Sequence, residues 1–451
     1  MRVPSRVTVI AIVVLGLLLA LGGASQIGAH SAIPLAGRAP DRFPAGSLRL
    51  YRSTAAQNTL QPIDRWSLTD RPGAVLHVGP RPAPNQGPAM VATADGSRFV
   101  VLNQLPTHHW PVRARDLTLQ LFDAHTGRPL FPPHHPAVPF SITGVSADGS
   151  VAYGFDDEGL NAPCPSWHLY LLLDVRTGRI DRQVTLVART WDSALVSPNF
   201  GRLYTMTIPD HLNGCGPRHA YHPLLTAYDL HTGTMVRSVQ LKGVLGGRWP
   251  TKRTVNGETV AAIWQPGIAL SPDGSQLAVL DGNTNTLTLL HARSLRVAGT
   301  EPLSHPRTAL ETIAGVLGMA PDPAEAKGQD SGVELQMQYT ADGRSLLVTG
   351  GRLSPDRRHP YGSSRNLGVQ LIDIGSGQIR AWLNDGAQVL NIWPAPDGSA
   401  VYSAVQSWSR QEGWLNTLRR HDPTTLRVVG RRTFPHMGNW FLHLMFLQGR
   451  R

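Results

Sequence analysis

The sequence predicts an all-β fold built from repeated four-stranded units, because two turn motifs recur along most of the chain. The first motif is Asp-Gly, with copies at 94–96, 147–149, 272–274, 341–343 and 396–398 and a degenerate copy at 198–201. The second is Asp-x-x-Thr-Gly or a close variant, with copies at 123–127, 174–178, 229–233 and 373–377 and looser copies at 292–294 and 422–425. Short strands joined by such turns, repeating about every 50 to 80 residues, are typical of β-propeller blades.

The segment 267–303 shows the order of strands within one blade. Gly267–Ser271 is predicted to be the inner strand, and it ends at the turn Pro272-Asp273-Gly274, where proline sets φ and glycine accepts a left-handed conformation. Three further strands follow, separated by turns and a polar loop. They are predicted at 276–280, 286–291 and 296–302.

The same order fits six segments, and pieces at the two ends of the chain are left to form a seventh. The six are 89–131, 141–187, 192–241, 267–303, 333–384 and 388–433. Leu48–Tyr51 and Asp64–Leu68 are predicted as outer strands, and Trp440–Leu447 as an inner strand. Joining them closes the ring without a free sheet edge. We therefore predict seven four-stranded blades closed by strands from both termini, with six blades as the alternative.

At the level of these repeats the chain resembles the YVTN-type and WD-like propellers of exported bacterial proteins, whose blades are marked by Ser-Pro-Asp-Gly and Asp-x-x-Thr-Gly turns. The resemblance covers most of residues 48–447. It implies a propeller but selects no function, since the family includes scaffolds, binding proteins and lactonases. The second turn also resembles that of pyrroloquinoline-quinone propellers, but the tryptophan that should follow it is missing from most copies and occurs as Trp382 after Gly377. We expect no quinone and no other cofactor.

The charge and composition of the chain argue against one class of function, the binding of nucleic acid. The 451 residues carry 42 basic and 31 acidic side chains, for a net charge of +11. The lysines are Lys242, Lys252 and Lys327, and all other basic residues are arginines scattered along the chain. No basic helix, zinc finger or arginine-rich tail organises them, so nucleic acid is not an expected partner. The charge suits a polyanionic cell-wall or membrane surface.

Residues 1–29 have the features of a secretory signal peptide or a signal anchor. Arg2 and Arg6 precede an uncharged, largely aliphatic stretch at 7–29 that contains small residues at 22–25. The two arginines favour an N-terminus on the inside and export of the rest. We expect an extracytoplasmic protein, either secreted after cleavage near Ala24 or Ser25 or anchored by residues 7–29. A linker at 30–47, the propeller at 48–447 and a tail at 448–451 would follow.

Strand order places the long connections on one face of the ring. In a blade of four antiparallel strands, the turns between strands 1 and 2 and between strands 3 and 4 lie on one face, the turn face. The remaining connections lie on the other, the loop face. The turns of the two motifs are short, and every long insertion belongs to the loop face. The insertions are 103–116, 156–168, 209–223, 241–266, 304–334, 351–366 and 406–415.

These insertions carry tryptophans, which predicts that the loop face binds a partner. A flat aromatic ring stacks on sugars or partner side chains, and tryptophan is enriched at interface hot spots. The alternative is that each tryptophan only pins its loop to the ring. The predicted binding residues are Trp110, Trp167, Trp249, Trp264, Trp408 and Trp414.

The leading hypothesis is an exported, non-catalytic propeller that binds a protein or glycan partner across the loop face. The chain contains no Gly-x-Ser-x-Gly elbow, no His-Glu-x-x-His motif and no sialidase box. The alternative is a lactonase-like hydrolase with its site at the channel mouth on the same face. Its candidate catalytic residues are Asp156, His168, His211 and His359. The identity of the partner and the oligomeric state are left open.

Cys164 and Cys215 are the two cysteines of the chain. Each falls in the connection between strands 2 and 3 of its blade, at nearly the same distance after Gly149 and Gly201. Equivalent connections of adjacent blades lie side by side, so the two thiols are predicted to form a disulfide in an oxidising compartment. The alternative is a zinc site, since His168, His211, His219 and His222 lie near the same cysteines in sequence. Their spacing matches no compact metal motif, and no metal site is predicted.

Titration of the denatured, unreduced protein with a thiol reagent tests the disulfide. We expect no reactive thiol before reduction and two after it, because a disulfide leaves no thiol to react. The bond would close a loop of about 50 residues and stabilise the fold by on the order of 3 to 4 kcal/mol. Two free thiols before reduction would exclude the bond.

Overall fold

The computed structural model describes residues 48–448, apart from gaps at 55–58, 72–74, 79–88, 105–112, 157–166, 191–193, 208–221, 256–257, 283, 305–331, 357–358, 410–412 and 435–443. Residues 1–47, with the predicted signal segment, therefore lie outside the described part. The described chain forms β-strands and one short 3₁₀ helix, Ala114–Asp116. None of its helices is long and apolar enough to cross a membrane.

The strands form seven sheets in a ring, a seven-bladed β-propeller, which confirms the predicted fold class. Blade 1 contains β1 (Leu48–Thr54), β2 (Thr59–Ile63) and β3 (Leu76–His77), with β29 (Leu444–Gln448) innermost. Blade 2 contains β4 (Ala89–Ala92), β5 (Arg98–Gln104) and β6 (Leu117–Asp123). Blade 3 contains β7 (Phe140–Val145), β8 (Val151–Asp156), β9 (Trp167–Asp174) and β10 (Ile180–Thr190).

The other four blades follow in chain order. Blade 4 contains β11 (Ala194–Val196), β12 (Arg202–Thr207), β13 (Leu224–Asp229) and β14 (Met235–Gln240). A hairpin of β15 (Gly247–Val255) and β16 (Glu258–Gln265) precedes blade 5, which contains β17 (Gly267–Leu270), β18 (Gln276–Asp281), β19 (Thr286–His291) and β20 (Val297–Pro302). Blade 6 contains β21 (Gly332–Tyr339), β22 (Ser345–Asp356), β23 (His359–Asp373) and β24 (Ile379–Leu383). Blade 7 contains β25 (Gln388–Pro394), β26 (Val401–Ser409), β27 (Gly413–His421) and β28 (Val428–Phe434).

The core lies between the blades, which explains why the middle strands are apolar on both faces. In β5, Phe99 and Val101 pack into a cluster with residues of blade 1. The alternate residues Val100 and Leu102 pack into a cluster with blade 3. Successive side chains of a strand point to opposite faces. A strand that is buried on both faces therefore appears as a continuous apolar run rather than as an alternating one.

In blades 2 to 6, a serine or threonine two residues before the turn aspartate or asparagine donates its hydroxyl to that side chain. In blade 3 the Asp148 carboxylate accepts from the Ser146 hydroxyl at 2.7 Å, and it also accepts from the backbone amide (3.0 Å) and hydroxyl (2.8 Å) of Ser150. The glycine that follows has φ of +75°. The degenerate copy keeps the pattern, since Asn199 accepts from Ser197 at 2.7 Å. The repetition of the motif is thus explained by turn geometry.

Three turns place a larger residue where the other copies have glycine. Phe200, Leu295 and Leu426 have φ of 57°, 51° and 56°. A left-handed conformation costs a residue with a side chain about 1 kcal/mol or more. Leu295 and Leu426 are buried in the clusters between blades, so packing holds them in place.

The ring is closed by pairing the two ends of the propeller. β29 pairs antiparallel with β1 from Leu48↔Gln448 to Arg52↔Leu444. Leu444 joins the cluster shared with blade 7, and Leu447 joins the cluster shared with blade 2. The last strand of the chain therefore completes the core on both sides of blade 1. This confirms the predicted closure by strands from both termini.

A second set of contacts holds blade 1 against blade 7. Arg65 donates to Asp397 at 2.7 Å, and the Tyr402 hydroxyl donates to the Arg65 carbonyl at 2.9 Å. Arg432 forms a bidentate pair with Asp70 at 2.8 and 2.7 Å. Asp397 accepts from the Ser399 hydroxyl on Oδ1 at 2.7 Å, which leaves its Oδ2 for Arg65. The seam between the two ends of the propeller is thus joined by polar contacts as well as by a strand.

Three local predictions are corrected. Asp64–Leu68 is a turn rather than a strand, because the Asp64 carboxylate accepts from the amides of Trp66 (2.9 Å) and Ser67 (2.8 Å). The segment 241–266 contains the β15–β16 hairpin instead of an irregular loop. In blade 2 the outer position is held by Pro129–His134, which makes isolated bridges to β6. Its prolines lack the amide donors that a regular strand requires.

His421 is a fully buried titratable group in blade 7. Its Nδ1 donates to the Leu426 carbonyl at 3.0 Å, and its Nε2 accepts from the Ser403 hydroxyl at 2.8 Å. Burial holds the pKa of His421 below its usual value, with the charge of Arg419 acting in the same direction. The imidazole is therefore a neutral structural element that tethers two strands and the following turn.

Deleting Leu444–Arg451 should abolish cooperative thermal unfolding, as measured by circular dichroism and calorimetry. The deletion exposes the edge of β1 and removes two buried leucines, whose burial contributes roughly 3 to 6 kcal/mol. Deleting only residues 449–451 is the matched control and should leave the transition unchanged. A cooperative transition in the longer deletion would show that β29 is dispensable.

His421 should make the protein less stable as the pH falls below neutrality. Because its folded-state pKa is depressed, only the unfolded chain takes up this proton between the ordinary value of 6.5 and the lower folded value, so the unfolding free energy decreases with decreasing pH. Denaturant titrations of wild type and His421→Asn between pH 7.5 and 5.5 measure the effect. The variant should be less stable at neutral pH but show a shallower pH dependence, and equal slopes would contradict the assignment.

Candidate functional site

The strand directions define the two faces of the ring. In blades 2 to 7 each inner strand runs from the loop face to the turn face, where it meets its Asp-Gly turn or, in blade 4, the degenerate copy. The connections between strands 2 and 3 and those between blades lie at the opposite end. The long segments of the described chain are therefore on the loop face, as strand order predicts.

In the described part of the chain, three extended β-hairpins lie on the loop face. β26 and β27 remain paired to Ser409↔Gly413, although β25 pairs with β26 only as far as Gln388↔Gln406. β22 and β23 remain paired to Asp356↔His359, beyond the end of β21. Both hairpins thus extend past their inner strands. The insertions at 351–366 and 406–415 were expected to be loops. Their described residues instead form paired strands.

The third hairpin, β15–β16, stands at the channel edge of blade 6. β16 pairs parallel with β21 at Trp264↔Val333 and Gln265↔Glu334, on the side of β21 that faces away from β22. Its base is anchored in blades 4 and 5. Leu241 and Val244 are buried in the cluster between those blades, and the Leu245 amide donates to the Asp281 carboxylate at 3.3 Å. A fixed base places this hairpin at the mouth of the channel on the loop face.

Five of the six predicted binding tryptophans lie on strands of the loop face. Trp249 and Trp264 are on the β15–β16 hairpin, Trp408 and Trp414 are register partners on β26–β27, and Trp167 begins β9. The description of these five is limited to the backbone. Trp110 lies outside the described residues. The arrangement brings the tryptophans to the hairpins but does not test their role.

The candidate catalytic residues are only partly covered by the structure. Asp156 ends β8, while His168 in β9 and His359 at the start of β23 are described by their backbone. His211 lies outside the described residues, as do Cys164 and Cys215. His222, from the alternative zinc set, donates from Nδ1 to the Val244 carbonyl at 2.9 Å. Within the described chain, no three His, Cys, Asp or Glu side chains are placed to hold a metal ion.

The central channel contains a cavity of about 530 Å³ at its turn-face end. It is lined by the last residues of the inner strands of blades 2 to 6 and by the turns that follow them. Such a volume is typical of small-molecule sites. The hydrolase hypothesis placed a site at the other end of the channel, so this cavity belongs to a part of the molecule that the sequence analysis left without a function.

The cavity lining is uncharged and has an aromatic side. Tyr153 and Phe200 line it with ring centroids 5.4 Å apart, and the buried Tyr170 lies behind Tyr153 at 6.2 Å. Thr143, also in the lining, is within 2.7 Å of the Tyr170 hydroxyl. Burial raises the pKa of Tyr153 to about 12, so the phenol is protonated at neutral pH.

Carboxylates surround the cavity at the turn face but are held within their own turns. The hydroxyl of Ser146 and then the amide of Ser150 hold the pKa of Asp148 below its usual range. For Asp273 burial acts in the opposite direction, but hydrogen bonds from Ser271 and Ser275 outweigh it, and the pKa of Asp273 is also lowered. These groups are ionised turn formers beside the lining, and the Arg98 guanidinium donates to the Asp148 carbonyl in the same turn.

The sequence held one indirect sign of this cavity. The turn at 198–201 is degenerate because Phe200 replaces the expected glycine, and that residue is one of the aromatic groups in the lining. Tyr153 and Gly144 come from neighbouring strands of blade 3, and their contact depends on strand register. No sequence motif marks them.

Comparison with known proteins adds no family. No family model matches the chain, and no curated protein matches it. Among solved structures the chain is similar to the hydrazine synthase of Kuenenia stuttgartiensis, with 16% sequence identity, 66% of each chain covered and a TM-score of 0.40. A similarity at this level carries no argument about function. The seven-bladed propeller is established by strand pairing, and neither the YVTN-type nor the WD-like family is identified.

Proposed function

We propose that this propeller is an exported, non-catalytic binding protein that takes a protein or glycan partner on its loop face. The observation that carries the proposal is the pair Trp408 and Trp414 on a hairpin that extends past the inner strand of its blade. Among the described side chains of blade 7, those in the interblade core lie elsewhere in the blade. A paired extension that the ring does not need supports a role in recognition.

The distribution of tryptophans supports the same face. The β15–β16 hairpin adds Trp249 and Trp264 beside the channel mouth. β-Hairpins present side chains from a rigid backbone, which lowers the entropy cost of binding. Tryptophan supplies a large contact area to a protein or a sugar ring. Several such positions on one side of the ring favour a broad partner over a small substrate.

The proposal includes export, which rests on the sequence alone. The basic residues and aliphatic stretch at 2–29 support passage across a membrane, and the predicted Cys164–Cys215 disulfide requires an oxidising compartment. N-terminal sequencing of the protein from its native host distinguishes secretion from anchoring. A cytoplasmic protein that retains its first residues would contradict export.

Replacing both Trp408 and Trp414 by alanine should abolish binding to the partner and change the melting temperature by only a few degrees. The two residues lie on the part of the β26–β27 hairpin that extends beyond the pairs with β25 and β28. Binding is measured on a glycan array and against isolated cell-envelope fractions of the host, by comparing wild type with the double variant.

Trp382→Ala is the matched control, because Trp382 is a half-exposed tryptophan on the outer strand of blade 6. It should bind like the wild type. Binding by the double variant at wild-type strength would reject the loop face as the binding surface. Turnover of lactones or esters by a protein that holds a divalent ion would instead support the hydrolase.

A further inference from the structure

We propose that the turn-face end of the channel is a second binding site, which takes an uncharged aromatic small molecule that bears a hydrogen-bond acceptor. The site is separate from the loop face, since its lining comes from the turn-face ends of the inner strands. It therefore extends the proposed function and does not depend on it. Three features of the cavity carry the inference: an exposed phenol, an aromatic residue in a strained turn, and a lining without charge.

The phenol of Tyr153 reaches the cavity because Gly144 has no side chain. Gly144 and Tyr153 are register partners on β7 and β8. A Cβ on Gly144 would lie 2.3 Å from the hydroxyl oxygen of Tyr153, closer than any side chain tolerates. Among the described residues, none hydrogen-bonds to the Tyr153 hydroxyl, although the side chain is largely buried. A hydroxyl that is accessible in a cavity and has no partner among the described residues is suited to donate to a ligand.

Phe200 forms the second aromatic surface at a conformational cost. It occupies the position that glycine holds in the five regular Asp-Gly turns, and its φ of 57° lies in the left-handed region. Its amide still donates to the Ser197 carbonyl at 2.8 Å, so the turn is otherwise intact. Glycine would adopt this turn without strain. A strained aromatic residue in the wall of a cavity is typical of a functional position.

The opposite side of the cavity is formed by blade 6, three blades away in the ring of seven. Met337 and Gln338 of β21 line it there. Methionine adapts to aromatic surfaces, and the Gln338 amide offers both a donor and an acceptor. No charged side chain belongs to the described lining, and the rim carries ionised aspartates such as Asp148. The lining offers an anionic ligand no counter-charge, which favours an uncharged one.

Prodan, an uncharged naphthalene dye with a carbonyl group, is the probe. Its emission reports the polarity of its surroundings and hydrogen bonding at its carbonyl. We expect the wild-type protein to bind one equivalent with a blue-shifted emission. The anionic dye 1-anilinonaphthalene-8-sulfonate should bind at least about tenfold more weakly, because the uncharged lining gives its sulfonate no counter-charge.

Phe200→Gly restores the regular turn and removes the aromatic wall. The variant should unfold cooperatively within a few degrees of wild type, while its affinity for prodan falls by at least about tenfold. Tyr153→Phe removes a single hydroxyl that has no partner among the described residues. The affinity for prodan should fall by about three- to tenfold, and the emission of the bound dye should shift further to the blue, because one hydrogen bond to its carbonyl is lost.

The double variant Trp408→Ala, Trp414→Ala separates this site from the loop face, and it should bind prodan like the wild type. The proposal is overturned if wild type does not bind prodan, or if folded Phe200→Gly binds with unchanged affinity. It is also overturned if the loss occurs in the loop-face variant. Should Phe200→Gly fail to fold, Tyr153→Phe decides, and unchanged affinity and emission in that variant count against the site.

Discussion

The closure of the ring is the constraint on which the rest of the structure depends. A propeller blade buries both faces of its middle strands against its neighbours, so a missing contact would expose the core of two blades at once. Here β29 completes blade 1 from the far end of the chain, and Leu444 and Leu447 extend the core to either side. Arg65 and Arg432 then join blade 1 to blade 7 through carboxylates. Without β29 the edge of β1 would be open, and β29 covers it by pairing from Leu48↔Gln448 to Arg52↔Leu444.

Because of closure, the two faces of the molecule also differ in how well they tolerate insertions in their connections. On the turn face, short hydrogen-bonded turns such as the one around Asp148 fix the ends of adjacent strands, and their geometry leaves little room for insertion. On the loop face the connections are not needed for the ring, so they can lengthen into paired hairpins. The β15–β16 hairpin illustrates this, because its base is held by the core while its strands stand beside the channel. Recognition on the loop face would thus leave the stability of the ring unaffected.

The channel departs from the regularity of the ring at blades 3 and 4. Gly144 leaves room for the phenol of Tyr153, and Phe200 brings a second ring into the same wall. Neither departure improves the turn or the sheet in which it occurs. Phe200 adopts a conformation that glycine would adopt more easily, and the Tyr153 hydroxyl has no described partner. Both irregularities weaken the local structure in which they occur, and both contribute to the same cavity wall. A ligand in that cavity would explain the two together.

The sequence by itself determined the architecture, because turn chemistry and strand alternation are local. Asp-Gly and Asp-x-x-Thr-Gly turns specify backbone geometry over five residues, and their repetition predicted the blades, the closure by both termini and the face that carries the long insertions. Only the tertiary structure decided that 241–266 forms a hairpin beside blade 6, since its pairing with β21 joins segments about 70 residues apart. The same holds for the cavity. Its wall brings together Gly144, Tyr153, Phe200 and Gln338 from three blades, and contacts set by strand register and ring closure leave no periodic signal along the chain.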